Sequence, residues 1–304
     1  MKCTLVIGNG FDLDAGLKTS YNNFVRSDYW PFACSTEVYG HDTLASYLKN
    51  RSKLNTWFDV EETLFDYTQV GLGNAIIRGV NIDHQDRIDF EKLKTSLTSY
   101  LSNQENSFEL NPNPIGMSVL YALLTSGNDS KLYSFNYTSL QNIARRYNIS
   151  ERIVCEHIHG SIEKNDIILG IGDKIDSHSH YFYLSKIAAP NYTSHNIIPD
   201  MIESDEIIIF GHSFGSNDFP YFTPFFHNQL SLAKDTRKRK RITIFTKDED
   251  SKLGIKKHIH EMTGQMTTLL HSLNYVRIFC TDGSMNSEIE EYLKSINKDW
   301  LING

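Results

Sequence analysis

Cysteine is scarce in this 304-residue chain, and its four cysteines, Cys3, Cys34, Cys155 and Cys280, never stand as a C-x-x-C pair. That argues against a structural zinc site of paired knuckles. Three of the four sit in apolar strand-like runs, where a reduced, buried thiol is the ordinary state, so the expected compartment is the cytoplasm. No apolar run approaches the roughly 20 residues that span a bilayer, which excludes a membrane-spanning helix. The apolar segment that begins at Cys3 is too short and too polar-flanked for a signal peptide. Positive charge is in deficit: 30 Lys and Arg against 37 Asp and Glu give a formal net charge of −7. A nucleic-acid-binding body is therefore not favoured. The one basic run, Arg237-Lys238-Arg239-Lys240-Arg241, reads as a solvated turn, because a single run does not make a phosphate-binding face. Internal repeats and low-complexity tracts are missing as well.

What is present is a chain that is 40% hydrophobic, ample for a buried core. Short β-branched runs at 3–7, 131–135, 153–157, 167–170, 206–210, 242–246 and 275–280 read as strands. Helices are expected near 18–27, 42–49, 57–71, 84–102, 115–126, 138–147, 219–233, 251–272 and 284–296. Glu206-Ile207-Ile208-Ile209-Phe210 is apolar on both faces, as a central parallel strand covered on both sides should be. The alternation predicts an α/β fold, a mostly parallel sheet with helices on both faces. Residues 28–114 hold no convincing strand and end at Asn111-Pro112-Asn113-Pro114, a stop signal. They read as a helical insert or lid beside a core of 1–27 and 115–304.

Four motifs share one position, the carboxyl end of a strand, where open parallel sheets bind ligands. Gly8-Asn9-Gly10-Phe11-Asp12 is either a tight turn that needs glycine or a cradle bringing backbone N–H groups to a nucleotide phosphate. A dehydrogenase fingerprint does not fit it: the third glycine is out of register, and no strand ends in an acid about 20 residues on. Asn136, in Ser134-Phe135-Asn136-Tyr137-Thr138, is a turn residue or an amide placed at the mouth of the sheet. In Glu156-His157-Ile158-His159-Gly160 the two histidines share a strand face. His157 suits a structural role, and His159 an exposed base; a metal site lacks a third ligand. Gly211-His212-Ser213-Phe214-Gly215 matches the G-x-S-x-G nucleophile elbow, for which Asp250 or Asp282 with His258, His260 or His271 could be proposed as partners; yet no His follows Asp282, no HGGG-type segment appears, and Pro220 falls where the elbow helix should run. A second nucleotide-contacting loop and a plain structural turn are the other two readings. Trp57-Phe58-Asp59-Val60-Glu61-Glu62 opens a helix with acids that favour its dipole, or faces the site from a lid. His178-Ser179-His180 reads as a loop pair.

Taken in order, Gly8-Asn9-Gly10-Phe11-Asp12 with Gly16-Leu17 and Thr19-Ser20-Tyr21, Trp57-Phe58-Asp59-Val60-Glu61, Phe135-Asn136-Tyr137-Thr138, His157-Ile158-His159-Gly160 and Gly211-His212-Ser213 with Asp218 and Tyr221-Phe222 resemble the AbiH family of phage abortive-infection proteins. That family in turn looks like a distant branch of the sirtuin-like NAD-binding fold. The resemblance implies a cytoplasmic antiphage protein that takes NAD as substrate, releases nicotinamide and ADP-ribose, and uses no metal. It implies Asn136, His159 and Asp12 as catalytic residues. It implies Gly8, Asn9, Gly10, Phe11, Gly160, Gly211, Ser213 and Asp218 as the NAD-binding set. Asp12 or Asp218 would stabilise the positive sugar. The four-Cys zinc module of sirtuin deacylases has no counterpart, so NAD cleavage fits better than deacylation. The partner is a small-molecule dinucleotide; a homo-oligomer or a defence-operon partner stays open. A non-catalytic nucleotide sensor and a serine hydrolase are the rival classes, and a nuclease lacks a carboxylate metal cluster.

Overall fold

The structure is a computed structural model, and it describes residues 1–33, 43–54, 58–69, 76–77, 80–231 and 239–296. Cys34, Trp57, Arg237 and Lys238, named above, lie outside the described residues. The chain divides into two compact units. Met1–Leu17, Glu109–Ile158 and Ser194–Gly304 form the first, and Lys18–Phe108 with His159–Thr193 form the second.

The first unit is built on six strands: β1 (Lys2–Ile7), β2 (Asp129–Ser134), β3 (Cys155–His157), β4 (Glu206–Phe210), β5 (Arg241–Thr246) and β6 (Tyr275–Cys280). Their order is β3-β2-β1-β4-β5-β6, and every pair is parallel. This is the Rossmann-like order, in which the chain winds one way from β1 and then restarts on the other side at β4. All five residues of β4 are buried, as an unbroken apolar run in a doubly covered strand demands. On one face Val6, Ile207, Ile209, Ile242 and Ile244 pack under Phe222, Phe225, Phe226, Ile255 and Ile259 from helices Phe219–Leu230 and Glu249–Met262. On the other, Phe210 stacks on Phe245 at 5.2 Å, and Tyr292 of helix Asn286–Ile296 covers Phe245 at 5.7 Å. Each such side chain contributes about 1.5–3 kcal/mol by leaving water. Glu206, the one charge on β4, is tied down by Tyr292 Oη at 2.6 Å and Arg241 at 3.0 Å. Arg241 and Lys240, from the basic run, thus hold the sheet; Lys240 donates to the carbonyls of Ile202 and Ser204.

The second unit is largely helical, with helices Leu44–Leu54, Val60–Thr68 and Ile82–Ser107. Its core is aromatic: Trp30 meets Phe24, Phe32 and Phe58 edge-on. Buried Asp86 accepts from the Leu44 N–H and from Tyr67 Oη at 2.6 Å.

Several expected elements change. Residues 167–170 form no strand: their neighbour Ile171 makes a single bridge to Ser185, and Ile168 N–H donates to the His159 carbonyl. A buried apolar run without a partner strand stays irregular. The segment 28–114 does contain strands, a two-residue antiparallel pair at Ile76–Ile77 and Val80–Asn81. The helix expected over 251–272 is two, Glu249–Met262 and Thr267–Leu273, because Gly264 and Gln265 adopt positive φ and close the first helix with a bond from Gln265 N–H to His260. Helices Asn9–Asp14 and Ile197–Glu203 are additions. Among the described residues no helix is long and apolar enough to cross a membrane.

Candidate functional site

β1, β2 and β4 run parallel and so end on one edge, and the winding reverses between β1 and β4. Ligands of such sheets bind at this switch point. Three of the expected motifs meet there: the turn after β1, the Asn136 loop after β2 and the loop after β4. The first and third touch through bare backbone. A Cβ on Gly8 would lie 2.7 Å from His212 Cα, and one on Gly10 2.6 Å from Gly211 Cα. Gly211 itself has φ +65, and a Cβ there would lie 2.5 Å from Gly10 Cα and from Phe11 N. Both sides of this contact therefore exclude any side chain. The backbone donors are engaged too. Gly8 N–H bonds the Phe210 carbonyl, Gly10 N–H the Gly211 carbonyl at 2.8 Å, and Phe11 N–H the Gly8 carbonyl. The glycines thus lock two loops of the sheet together.

Asn136 is held by the turn after β1. Its Nδ2 donates to the Gly8 carbonyl at 3.0 Å and to Asp12 Oδ1 at 2.7 Å. Both partners only accept, so chemistry fixes which end of the amide is nitrogen. Asp12 is 1% exposed, and its other oxygen accepts from Thr138 Oγ1 at 2.6 Å. Two charge-assisted bonds offset the burial of that carboxylate. The Asn136 carbonyl accepts from His157 Nδ1 at 2.9 Å, which gives His157 a structural role. With both amide hydrogens in use, Oδ1 is the one polar atom of Asn136 that has no partner among the described residues. Thr138, quoted within the Asn136 motif but given no role there, is part of this network.

In the loop after β4, His212 is the staple. Its Nδ1 accepts from Phe214 N–H at 3.0 Å, so its proton sits on Nε2, 3.2 Å from Asp218 Oδ2. The ring is buried against Phe135 and Phe222. Phe214 is forced to φ +55 while fully buried, a strained conformation for a bulky residue. Ser213 between them is exposed. His258 Nδ1 donates to the Ser213 carbonyl, not to its hydroxyl. The Ser213 N–H and Oγ carry no partner among the described residues, so no histidine among them is bonded to this serine as in a hydrolase elbow. Pro220 falls in the first turn of helix Phe219–Leu230, where proline is tolerated.

His159 and Gly160 belong to the second unit. His159 lies beyond the end of β3 and is buried, not exposed as the sequence suggested. Its Nε2 is 3.1 Å from Lys186 Nζ, which stands 3.0 Å from Glu61 Oε2. Asp59 caps helix Val60–Thr68, accepting from Glu62 N–H, as the capping reading of that motif expects. Lys186 carried no sequence signal: it is one lysine in an ordinary stretch. Among the described residues no group of three or more His, Cys, Asp or Glu is placed to hold a metal ion.

The sequence model of the family described as Bacteriophage abortive infection AbiH matches residues 4–235. No curated protein matches the chain.

Proposed function

This chain belongs to the AbiH family of bacteriophage abortive infection proteins, and on that premise we propose that its first unit binds NAD at the sheet's switch point and that the protein hydrolyses the nicotinamide–ribose bond. The family suggests an antiphage abortive-infection role, and NAD consumption is the chemistry we assign to it. A distant likeness of this sheet to the sirtuin-like NAD-binding core belongs to the same proposal.

The observation that carries the reading is the polarity of Asn136. Both its amide hydrogens are engaged by Gly8 and Asp12, so it offers a ligand an acceptor alone. A fixed acceptor selects a hydroxyl, as on a ribose, over a phosphate oxygen. Ser213 offers the opposite, an N–H and a hydroxyl that suit a phosphate. Sugar hydroxyls and phosphates are what a dinucleotide presents, and the switch point is where the sheet order favours binding one.

In this reading water attacks C1′ as the C1′–nicotinamide bond breaks, giving ADP-ribose, neutral nicotinamide and a proton. Positive charge grows on the ribose, and Asn136 Oδ1, accepting from a ribose hydroxyl, stabilises it. Asp12 acts through Asn136, as a positioning residue. His159 is the proton-handling residue of the reaction. The test is incubation of the purified protein with NAD, following nicotinamide release by chromatography. Asn136→Ala and His159→Ala are each expected to lower turnover on the order of 10²–10⁴-fold. Unchanged rates in both sink the assignment. Calorimetric binding of NAD with no nicotinamide released would instead establish a nucleotide sensor.

A further inference from the structure

The second unit holds a buried row of three polar side chains. Lys186 Nζ lies 3.0 Å from Glu61 Oε2 and 3.1 Å from His159 Nε2. The Lys186 side chain is 5% exposed and that of Glu61 14%. Each member sits on pinned backbone. Glu61 is in the first turn of a helix capped by Asp59. Lys186 follows Ser185, the bridge partner of Ile171, and its N–H donates to the Ile171 carbonyl. The His159 carbonyl accepts from Ile168 N–H at 2.7 Å. Gly160, at φ +73, turns the chain where a Cβ would meet the Asp166 carbonyl at 2.1 Å.

The chemistry of the three groups gives the row a direction. A buried ammonium alone would tend to lose its proton, but a carboxylate 3.0 Å away holds it charged. An ammonium only donates, so the contact with His159 Nε2 requires a lone pair on that nitrogen. A neutral imidazole with a lone pair on Nε2 carries its hydrogen on Nδ1. A second proton on Nε2 would set two cations 3.1 Å apart in a buried place. We propose that Glu61 and Lys186 form, with His159, one hydrogen-bonded array that fixes His159 as the Nδ1–H tautomer. Lys186 is then a positioning residue, Glu61 the group that keeps it charged, and His159 a hydrogen-bond donor at Nδ1 in the resting protein. Its part in the reaction rests on the NAD reading above. In that reaction, taking a proton at Nε2 requires Lys186 to move first.

The tautomer is testable without any activity. The full chain is labelled with ¹⁵N, and long-range ¹H–¹⁵N correlation at neutral pH reads the imidazole nitrogens. The His159 signals are those lost in His159→Gln. The expected result is a protonated Nδ1 and an unprotonated Nε2. In Lys186→Met the balance moves toward Nε2–H, and Glu61→Gln shifts it the same way by less. Lys186→Arg, which keeps a charged donor, retains Nδ1–H. Finding Nε2–H or a cationic ring in the unaltered protein overturns the proposal, and so does a tautomer that Lys186→Met leaves in place. Circular dichroism checks folding; if Lys186→Met does not fold, Glu61→Gln and Lys186→Arg decide the matter. With NAD, Lys186→Met should lower kcat on the order of 10²–10⁴-fold with KM little changed, as a wrong tautomer does. If the unaltered protein releases no nicotinamide, the NAD reading fails while the spectral result stands on its own.

Discussion

The bond between Asp12 and Asn136 bears directly on how the switch point is built, and its strength can be worked out. Asp12→Ala removes two charge-assisted bonds, at 2.7 Å to Asn136 Nδ2 and 2.6 Å to Thr138 Oγ1. It leaves one amide hydrogen of Asn136 and the Thr138 hydroxyl without that acceptor, on residues that are 7% and 2% exposed. Bonds to charged groups contribute about 1.5–3 kcal/mol each, and the two are not additive, so a loss of about 3–4 kcal/mol is expected. Asn136→Ala removes the same bond to Asp12 and the one to Gly8, for about 2–3 kcal/mol. The double variant should then cost less than the two together by about 1–3 kcal/mol. Native-state hydrogen exchange of the Gly8 and Phe135 amides, bonded to the Phe210 and Ile7 carbonyls, reads the unfolding free energy of this unit alone. A coupling within about 0.3 kcal/mol of zero refutes the account of Asp12 as the holder of Asn136. A residue exchange sharpens the test. Asp12→Asn with Asn136→Asp restores an amide–carboxylate pair, yet turns an oxygen of residue 136 toward the Gly8 carbonyl, where Nδ2 now donates at 3.0 Å. The exchanged protein should stay below the unaltered one in stability, and full recovery contradicts the geometry.

Other consequences are open to measurement. Gly10→Ala drives a Cβ to 2.6 Å from Gly211 Cα, backbone against backbone, so a loss of about 2 kcal/mol or more is expected in thermal or urea unfolding; an unchanged midpoint denies the loop contact. Burial raises Asp14 to about 6 despite hydrogen bonds from the Gly116 and Ile115 N–H groups, and burial raises Asp86 to about 6 as well. A raised carboxyl favours folding below its unfolded value and loses that contribution as pH rises through 6, so stability should increase from neutral pH down to about pH 5. Asp14→Asn should remove its share of that slope and gain about 1–3 kcal/mol near neutral pH, read by urea unfolding at several pH values; a slope unchanged by the substitution counts against it. Burial pushes the Cys3 thiol up to about 12, so alkylation at mildly alkaline pH should reach it only after unfolding, as peptide mass spectrometry would report.

The sheet could be read from the sequence because its strands are short apolar runs between turn signals, and six of the seven expected ones pair in register. The seventh, 167–170, has the same composition but no neighbouring strand, and composition does not report pairing. Residues after Gly264 kept the apolar spacing of a helix, while the backbone broke at a glycine and a left-handed glutamine. The site divides along the same line. Gly8, Gly10 and Gly211 were visible because glycine marks a place where something comes close. Sequence does not say what comes close, and the visitor is the chain's own backbone: each glycine faces the other loop, and the donors at Gly8, Gly10 and Phe11 bond within the sheet. In the proposed NAD reading, discrimination between ligands falls to Asn136 and Ser213, whose place the motifs mark but whose hydrogen-bonding role they do not. Asn136 offers an acceptor alone because Asp12 and Gly8 claim its amide hydrogens, and Ser213 stands exposed on the loop that His212 holds through the Phe214 N–H. Lys186 makes the same point from the other unit, since its effect on His159 depends wholly on Glu61, 125 positions earlier in the chain. A motif search finds residues by type and place; it does not report what a partner distant in sequence makes of their chemistry, and the NAD reading proposed above turns on that chemistry.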